Sequence, residues 1–225
     1  MSAINVLDHG FVRLVDHMGS DLAIVRNARV SYDAEWRSGD DAGKDEKLIH
    51  YLLRNGHTSP FEAVQFTFDV KAPIFVLRQW HRHRTWSYNE VSARYAALPD
   101  EFYVPAPEQI TTQGSGNKQM RTTEQHPRAE MLRNDIAANC ALAHETYRRL
   151  LDLGCPRELA RGVLPVNTYS HMFASVDLHN LFHFLRLRLH AHAQYEIRVY
   201  AEAMLSLIRP ITPIAVAAFE EENGR

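Results

Sequence analysis

Between Val64 and Lys71 apolar and polar residues alternate without a break. Val64, Phe66, Phe68 and Val70 face one way; Gln65, Thr67, Asp69 and Lys71 face the other. That period of two predicts a half-buried strand, and a helix cannot satisfy it. Punctuation on both sides fixes its ends. Upstream, Ser59-Pro60-Phe61-Glu62 reads as a capping box with proline at the first helical position, so a short helix ends where the alternation begins. Downstream, Pro73 opens a helix with Ile74, Leu77 and Trp80 inward, and Arg78 and Arg82, four apart, share its other face.

The remaining elements group around this strand. Ile4–Leu7 and Phe11–Val15 read as a hairpin about Gly10, and Ser20 caps a helix running to about Val30. After the loop 38–43, Leu48, Tyr51 and Leu52 mark a helix ending at Gly56. The polar stretch 105–128, with Gly114-Ser115-Gly116-Asn117, reads as an exposed excursion inside one domain. A long helix follows, about 128–153, with Leu132, Ile136, Ala143, Tyr147 and Leu150 as its stripe and Gly154 beyond it. Pro156 starts a short helix that stops before Pro165, Val166–Ser175 reads as a strand, and a last long helix runs from about Leu178 to Arg209, stopped by Pro210. The expected class is α+β: a single domain over 1–225, with a mostly antiparallel sheet, several helices and a long C-terminal helix.

Composition removes several functions. With 25 Lys+Arg against 27 Asp+Glu the net charge is −2, so bulk coating of nucleic acid is not expected. No apolar run approaches the roughly 18 residues of a membrane helix, and no membrane association is expected. The opening MSAINVLDHG carries Asp8 and no basic region, so it does not read as a secretory signal. Two cysteines, Cys140 and Cys155, make no disulfide framework. A cytoplasmic protein with reduced thiols is expected. The basic residues are 21 Arg and 4 Lys; GC-rich codons alone would favour Arg over Lys, so the positions of the arginines, not their number, carry the information.

The densest polar cluster is Arg82-His83-Arg84-Thr85-Trp86-Ser87-Tyr88-Asn89-Glu90-Val91-Ser92-Ala93-Arg94-Tyr95. It is too polar for a core element and reads as a loop leaving the helix begun at Pro73. Arg82, Arg84 and Arg94 can converge on phosphate oxygens. Ser92 adds a neutral donor, and Glu90 can accept from a ribose hydroxyl or orient an arginine. A solvated loop laced with surface ion pairs explains the composition equally well.

The order of these residues goes further. Arg-His-Arg, two residues, Ser, one residue, Asn-Glu, one residue, Ser, one residue, Arg-Tyr resembles the signature of the flavin-dependent thymidylate synthases. GHTSPFE (56–62) is similar to that family's histidine segment, KAPIFVLRQW (71–80) to the lead-in, CPRELARGVLP (155–165) to its later arginine segment, and LRLHAHAQYEI (187–197) to its catalytic helix. The matches span about Gly10 to Ile197.

This resemblance implies a thymidylate synthase-complementing-like fold and one reaction: dUMP becomes dTMP, 5,10-methylenetetrahydrofolate gives the carbon, FAD carries hydride and NADPH is the reductant. It also implies a homotetramer whose active sites are shared between subunits. By residue, it assigns dUMP to Gln79, Trp80, His81, Arg82, Glu90, Val91, Ser92, Ala93, Arg94, Arg161 and Arg188, and FAD to Ser59, Arg82, His83, Arg84 and Glu90, with His57 nearby. At the flavin stretch before the last helix the family often has Asn-x-Arg and a later Asn; Asp177, His179 and His183 stand at those positions. Arg188 matches the catalytic arginine.

Physical expectations accompany these assignments. Ser92 and Arg94 would share a side of an extended segment. Ser59 would sit at a helix N-terminus, where free N–H groups attract phosphate. Arg188, His192, Tyr195 and Glu196 would share one face of the last helix, opposite Leu178, Leu181, Phe182, Leu185 and Leu189. A fixed cation at Arg188 would stabilise an anionic pyrimidine and make C5 more nucleophilic. Cys140 reads as core; Cys155, beside Arg157, could have a lowered pKa, but neither thiol belongs to the signature and no base activates Ser92, so no covalent protein nucleophile is expected. Two rivals remain: a metal-dependent hydrolase on His179 and His183, with His190 and His192 following, and a binding module stacking bases on residues Trp80 to Tyr95.

Overall fold

The computed structural model describes residues 3–116 and 119–224; Asn117 of the expected Gly114–Asn117 turn lies outside them. The expected hairpin is β1 (Ile4–Val6) and β2 (Gly10–Met18), and the alternating segment is β3 (Gln65–Pro73). Later in the chain come β4 (Ser87–Glu90) and β7 (Tyr169–Asp177). These five form one antiparallel sheet in the order β1-β2-β3-β7-β4. Gly10 opens β2 where no side chain fits: a Cβ there would collide with the Tyr200 hydroxyl and lie 2.8 Å from the Lys71 carbonyl.

The helices are α1 (Asp21–Val30), α2 (Ala42–Arg54), α3 (Ile74–Trp80), α4 (Ala129–Asp152), α5 (Arg157–Ala160), α6 (Leu178–Arg188), α7 (Tyr195–Ile208) and α8 (Pro213–Glu222). The inner face of the sheet carries Val12, Leu14, Phe66, Phe68, Val70, Met172 and Ala174, all buried, and α3, α6 and α7 complete that core. Trp80 lies at its centre, stacked on Phe184 at 4.9 Å and edge-on to Trp86 and Tyr200. The outer face bears the polar set of the alternation with one exception. Asp69 is buried, because Arg13 (Nη2 to Oδ2, 2.6 Å) and His171 close over its carboxylate from the two neighbouring strands.

Several expectations need correction. The last helix is not continuous. It stops at Arg188 and restarts at Tyr195, because His190 turns its ring back on the chain: Nδ1 accepts the His192 N–H at 3.1 Å, a local bond that competes with the helical ladder. Arg188, His192, Tyr195 and Glu196 are therefore not one helical face. The first ends α6, the second lies in the corner and the last two open α7. The excursion 105–128 is not featureless; it holds a hairpin of β5 (Thr111–Gln113) and β6 (Arg121–Gln125). The signature is not all loop, since β4 forms the sheet's edge. Ser92 and Arg94 lie in a turn, not an extended run: the Tyr95 N–H bonds the Ser92 carbonyl at 3.0 Å. The turn around Ser59 is a single 3-10 segment, Ser59–Ala63, whose cap is Thr58 without a side-chain bond. Strand β7 starts three residues later than expected, since Thr168 N–H closes a turn on Pro165. Tyr51 is exposed, and Ile49 takes the core position of α2.

Candidate active site

Two cationic groups emerge. The first gathers where the turn after α3 meets the end of α6. Tyr88 on β4 holds that turn by donating its hydroxyl to the carbonyls of Trp80 (3.2 Å) and His83 (2.9 Å). Burial keeps the phenol protonated, well above its usual range. His83 is thereby tucked inward, 7% exposed, edge-on to Phe184. Arg188 Nε donates to His83 Nε2 at 3.1 Å, and its Nη2 to the Gln79 carbonyl at 3.3 Å.

The electrostatics follow from this packing. Burial, then the Arg188 charge, then His183, push the His83 pKa down to about 4. At neutral pH the ring is therefore neutral and can accept the guanidinium N–H. Burial, and then the Arg82 charge, lower Arg188 below the usual arginine range. Arginine starts so high that it remains a cation. The arrangement is specific: a neutral acceptor orients Arg188 without cancelling its charge, as a carboxylate would. Arg82, Arg84, His183 and Leu187 complete an open cavity of about 510 Å³ with His83 and Arg188. A cavity of about 560 Å³ between α2 and α8 touches no signature residue.

The second group lies past β4. Glu90 accepts from Ser170 Oγ at 2.5 Å, and Val91 N–H bonds the His171 carbonyl at 2.8 Å, so β7 anchors the chain as it leaves the sheet. Ser92 Oγ then accepts the Arg94 N–H at 3.3 Å, Ala93 is buried, and the Arg94 guanidinium reaches Glu158 on α5 at 3.3 Å. Arg161, one turn further, is exposed and has no side-chain partner among the described residues. No described bond joins Arg94 or Arg161 to Arg188.

The remaining candidates fall into three kinds. Trp80 offers no side chain to a ligand, since its ring is fully buried; His81 packs edge-on to Tyr88. Gln79 lies beside Arg188, its amide bonded to Gln194. Asp177 caps α6, receiving the Asn180 N–H (2.9 Å) and side-chain amide (2.6 Å), with His179 and His183 on the helix behind it. His57, exposed and edge-on to Tyr51, and Ser59 stand apart on the α2–β3 connection. Among the described residues no three His, Cys, Asp or Glu side chains come close enough to hold a metal, so His179 and His183 lack a third ligand. Cys140 is buried in α4 and burial pushes its thiol up.

The family model of the thymidylate synthase complementing protein matches residues 13–214. The chain belongs to that family. Its relatives include the flavin-dependent thymidylate synthase of Treponema denticola, 53% identical over 97% of this chain and 83% of that protein. That of Wolbachia pipientis wMel is 48% identical over 96% and 75%. Among solved structures, the UMP/dUMP methylase PolB from Streptomyces cacaoi, bound with 5-Br dUMP, superimposes with a TM-score of 0.87 at 40% identity, covering 97% of each chain. The family match takes in residues 82–95.

Three polar residues of this region went unread in the sequence as site partners: Gln194, Arg121 and Ser170. Each acts across more than 70 residues, and no local spacing marks it.

Proposed function

We propose that the chain is a flavin-dependent thymidylate synthase, a methyltransferase of dTMP biosynthesis. It converts dUMP to dTMP with 5,10-methylenetetrahydrofolate as carbon donor, FAD as hydride carrier and NADPH as reductant, and no protein nucleophile becomes covalently attached. The observation that carries this reading is Arg188, a half-buried cation held by a neutral histidine and a carbonyl, in a family whose named relatives make thymidylate. Among the described residues no carboxylate pairs with it, so its charge is available to stabilise negative charge on the pyrimidine and raise the nucleophilicity of C5.

The donors present suit the flavin. Arg82 and Arg84 on the 510 Å³ cavity offer guanidinium groups for a pyrophosphate, and Leu187 offers an apolar wall beside them. Asp177 does not oppose this, because its carboxylate already receives two Asn180 donors. FAD, when bound, supplies two-electron hydride chemistry that no side chain provides. We place it against Arg82, His83, Arg84, Glu90 and His183, with Asp177, His179, Ser59 and His57 nearby. Ser59 contributes a hydroxyl more than a helix dipole, since its turn is only five residues long.

The nucleotide then falls to Gln79, the main chain of Trp80 and His81, Arg82, Glu90 to Arg94, Arg161 and Arg188. No described bond joins Arg94 or Arg161 to Arg188, which is compatible with a homotetramer whose sites are shared between subunits. Exposed Leu142 on α4, and Leu153 and Leu159 just beyond it, give apolar surface for such contacts. A cytoplasmic location suits the two free thiols. Among the described residues no helix is long and apolar enough to cross a membrane.

The absorption spectrum tests the proposal. Flavin bands near about 370 and 450 nm should bleach on anaerobic NADPH addition, and thymidylate should form once dUMP and methylenetetrahydrofolate are added. A colourless protein that takes up no FAD refutes the reading and brings forward a nucleotide-binding module without redox chemistry.

A further inference from the structure

Glu196 is 2% exposed at the first turn of α7. Its Oε1 receives the Tyr103 hydroxyl at 3.3 Å and Arg121 Nη1 at 3.1 Å; its Oε2 receives Gln194 Nε2 at 2.8 Å. Gln194 Oε1 in turn receives Gln79 Nε2. Burial, then the Glu196 charge, push the Tyr103 phenol upward, so it serves as a donor. Three donors on two oxygens is the pattern of a carboxylate.

This chain of bonds has a direction. A carboxylate accepts and does not donate, so Gln194 must turn its NH2 toward Glu196 and its oxygen toward Gln79. Gln79 must then turn its own NH2 toward Gln194. Its Oε1 is left without a protein donor among the described residues. The backbone carbonyl of the same residue anchors Arg188. A free glutamine could present either end of its amide to a ligand; this one is committed.

We propose that Glu196, acting through Gln194, is a positioning residue that fixes Gln79 as a hydrogen-bond acceptor toward the nucleotide, so that the site favours a nucleotide carrying a donor there. That donor is a sugar hydroxyl or the ring N–H. The proposal rests on the reading of Gln79 as a nucleotide contact. An ordinary structural staple between the β5–β6 hairpin and α7 would use the same bonds, but it would not care which end of the Gln79 amide faces the ligand.

The isosteric change Glu196→Gln separates the two. Tyr103 and Arg121 still require an acceptor, so Gln at 196 gives them its oxygen and turns its NH2 toward Gln194. Gln194 then flips, Gln79 flips after it, and an N–H replaces the acceptor at the ligand. Gln194→Leu, at an exposed position, cuts the relay while leaving Glu196 its other two partners and spares the fold. The measurement is equilibrium binding to FAD-loaded protein of dUMP, its N3-methyl analogue and its 3′-deoxy analogue. The wild type should prefer dUMP to one analogue by about 3- to 10-fold, the range of one hydrogen bond; the analogue that loses affinity identifies the donor. Both variants should abolish that preference, with Gln194→Leu keeping the wild-type melting temperature. A preference that survives in both variants but disappears in Gln79→Ala overturns the relay alone. A Gln79→Ala protein that binds dUMP and both analogues like wild type overturns the reading of Gln79 itself, and the proposal with it.

Discussion

Arg188 and Arg94 are both cations of the same candidate site, and the protein treats them oppositely. Arg188 is half-buried, two of its N–H groups bonded to a neutral ring and a backbone carbonyl, its charge beside Arg82 with no carboxylate partner among the described residues. Arg94 is exposed on a turn and shares an ion pair with Glu158, also exposed. An exposed pair of that kind stabilises little, about 0–1 kcal/mol, and gives way readily to a ligand phosphate. The first arginine is preorganised for charge that develops during reaction; the second is solvated and suits capture of charge already present. On the proposed function, one would act on rate and the other on affinity.

Substitutions can break this division. The largest effect belongs to Arg188→Ala: turnover should fall by about 10²–10³, the scale of one lost preorganised donor, while the flavin spectrum stays. Turnover near that of wild type would make Arg188 a packing residue. Next is Arg94→Ala, which removes a charged hydrogen-bond partner worth about 1.5–3 kcal/mol, so dUMP affinity should drop by about 10- to 100-fold with flavin binding intact. Calorimetric titration giving an unchanged dissociation constant would dissolve the contrast.

A third prediction sharpens it through pH. Unfolded, His83 takes a proton near 6.5; folded, near 4. Between those values the unfolded chain binds more protons, so this group's contribution to stability is complete above pH 6.5 and is lost as pH falls toward 4. Urea unfolding at pH 8, 6 and 5 should show His83→Gln losing less stability over this range than wild type. Equal losses would mean that the ring is not held neutral against Arg188. The smallest effect is expected from Cys140→Ala with Cys155→Ser: turnover should stay within about twofold, because neither thiol touches the Arg188 group, while the emptied position in α4 costs about 1 kcal/mol or less. A folded but inactive double variant would require a thiol nucleophile.

The residues differ in how far the sequence alone revealed them. Val64–Lys71 was legible because a strand with one buried face must alternate. The signature was legible because its residues are contiguous. The corner at 189–194 was not: the apolar positions on either side suit one long helix, and the break is marked by local bonds on His190, whose ring accepts the His192 N–H and whose carbonyl accepts the Ala193 N–H. Burial of Trp80 was read from its helix, but its consequence for the nucleotide list was not, because matching a position does not say which way a side chain turns. Glu196 lay in a matched segment, yet its partners Tyr103 and Arg121, and Gln79 which it reaches only through Gln194, come from three other parts of the chain, and only the folded backbone brings them together.

Strand β4 has one further consequence. It is only four residues long and, among the described residues, pairs only with β7, so the strand that carries Glu90 toward the turn at 92–95 is also a margin of the sheet. A bare margin of this sort is where a foreign strand can add, and its shortness and the acidic Glu90 limit that hazard. Any nucleotide that orders residues 90–94 shortens the accessible margin further. Protein stored with dUMP should therefore resist edge-to-edge association better than protein stored without it, and clouding on the shelf becomes a gauge of occupancy at the proposed nucleotide loop.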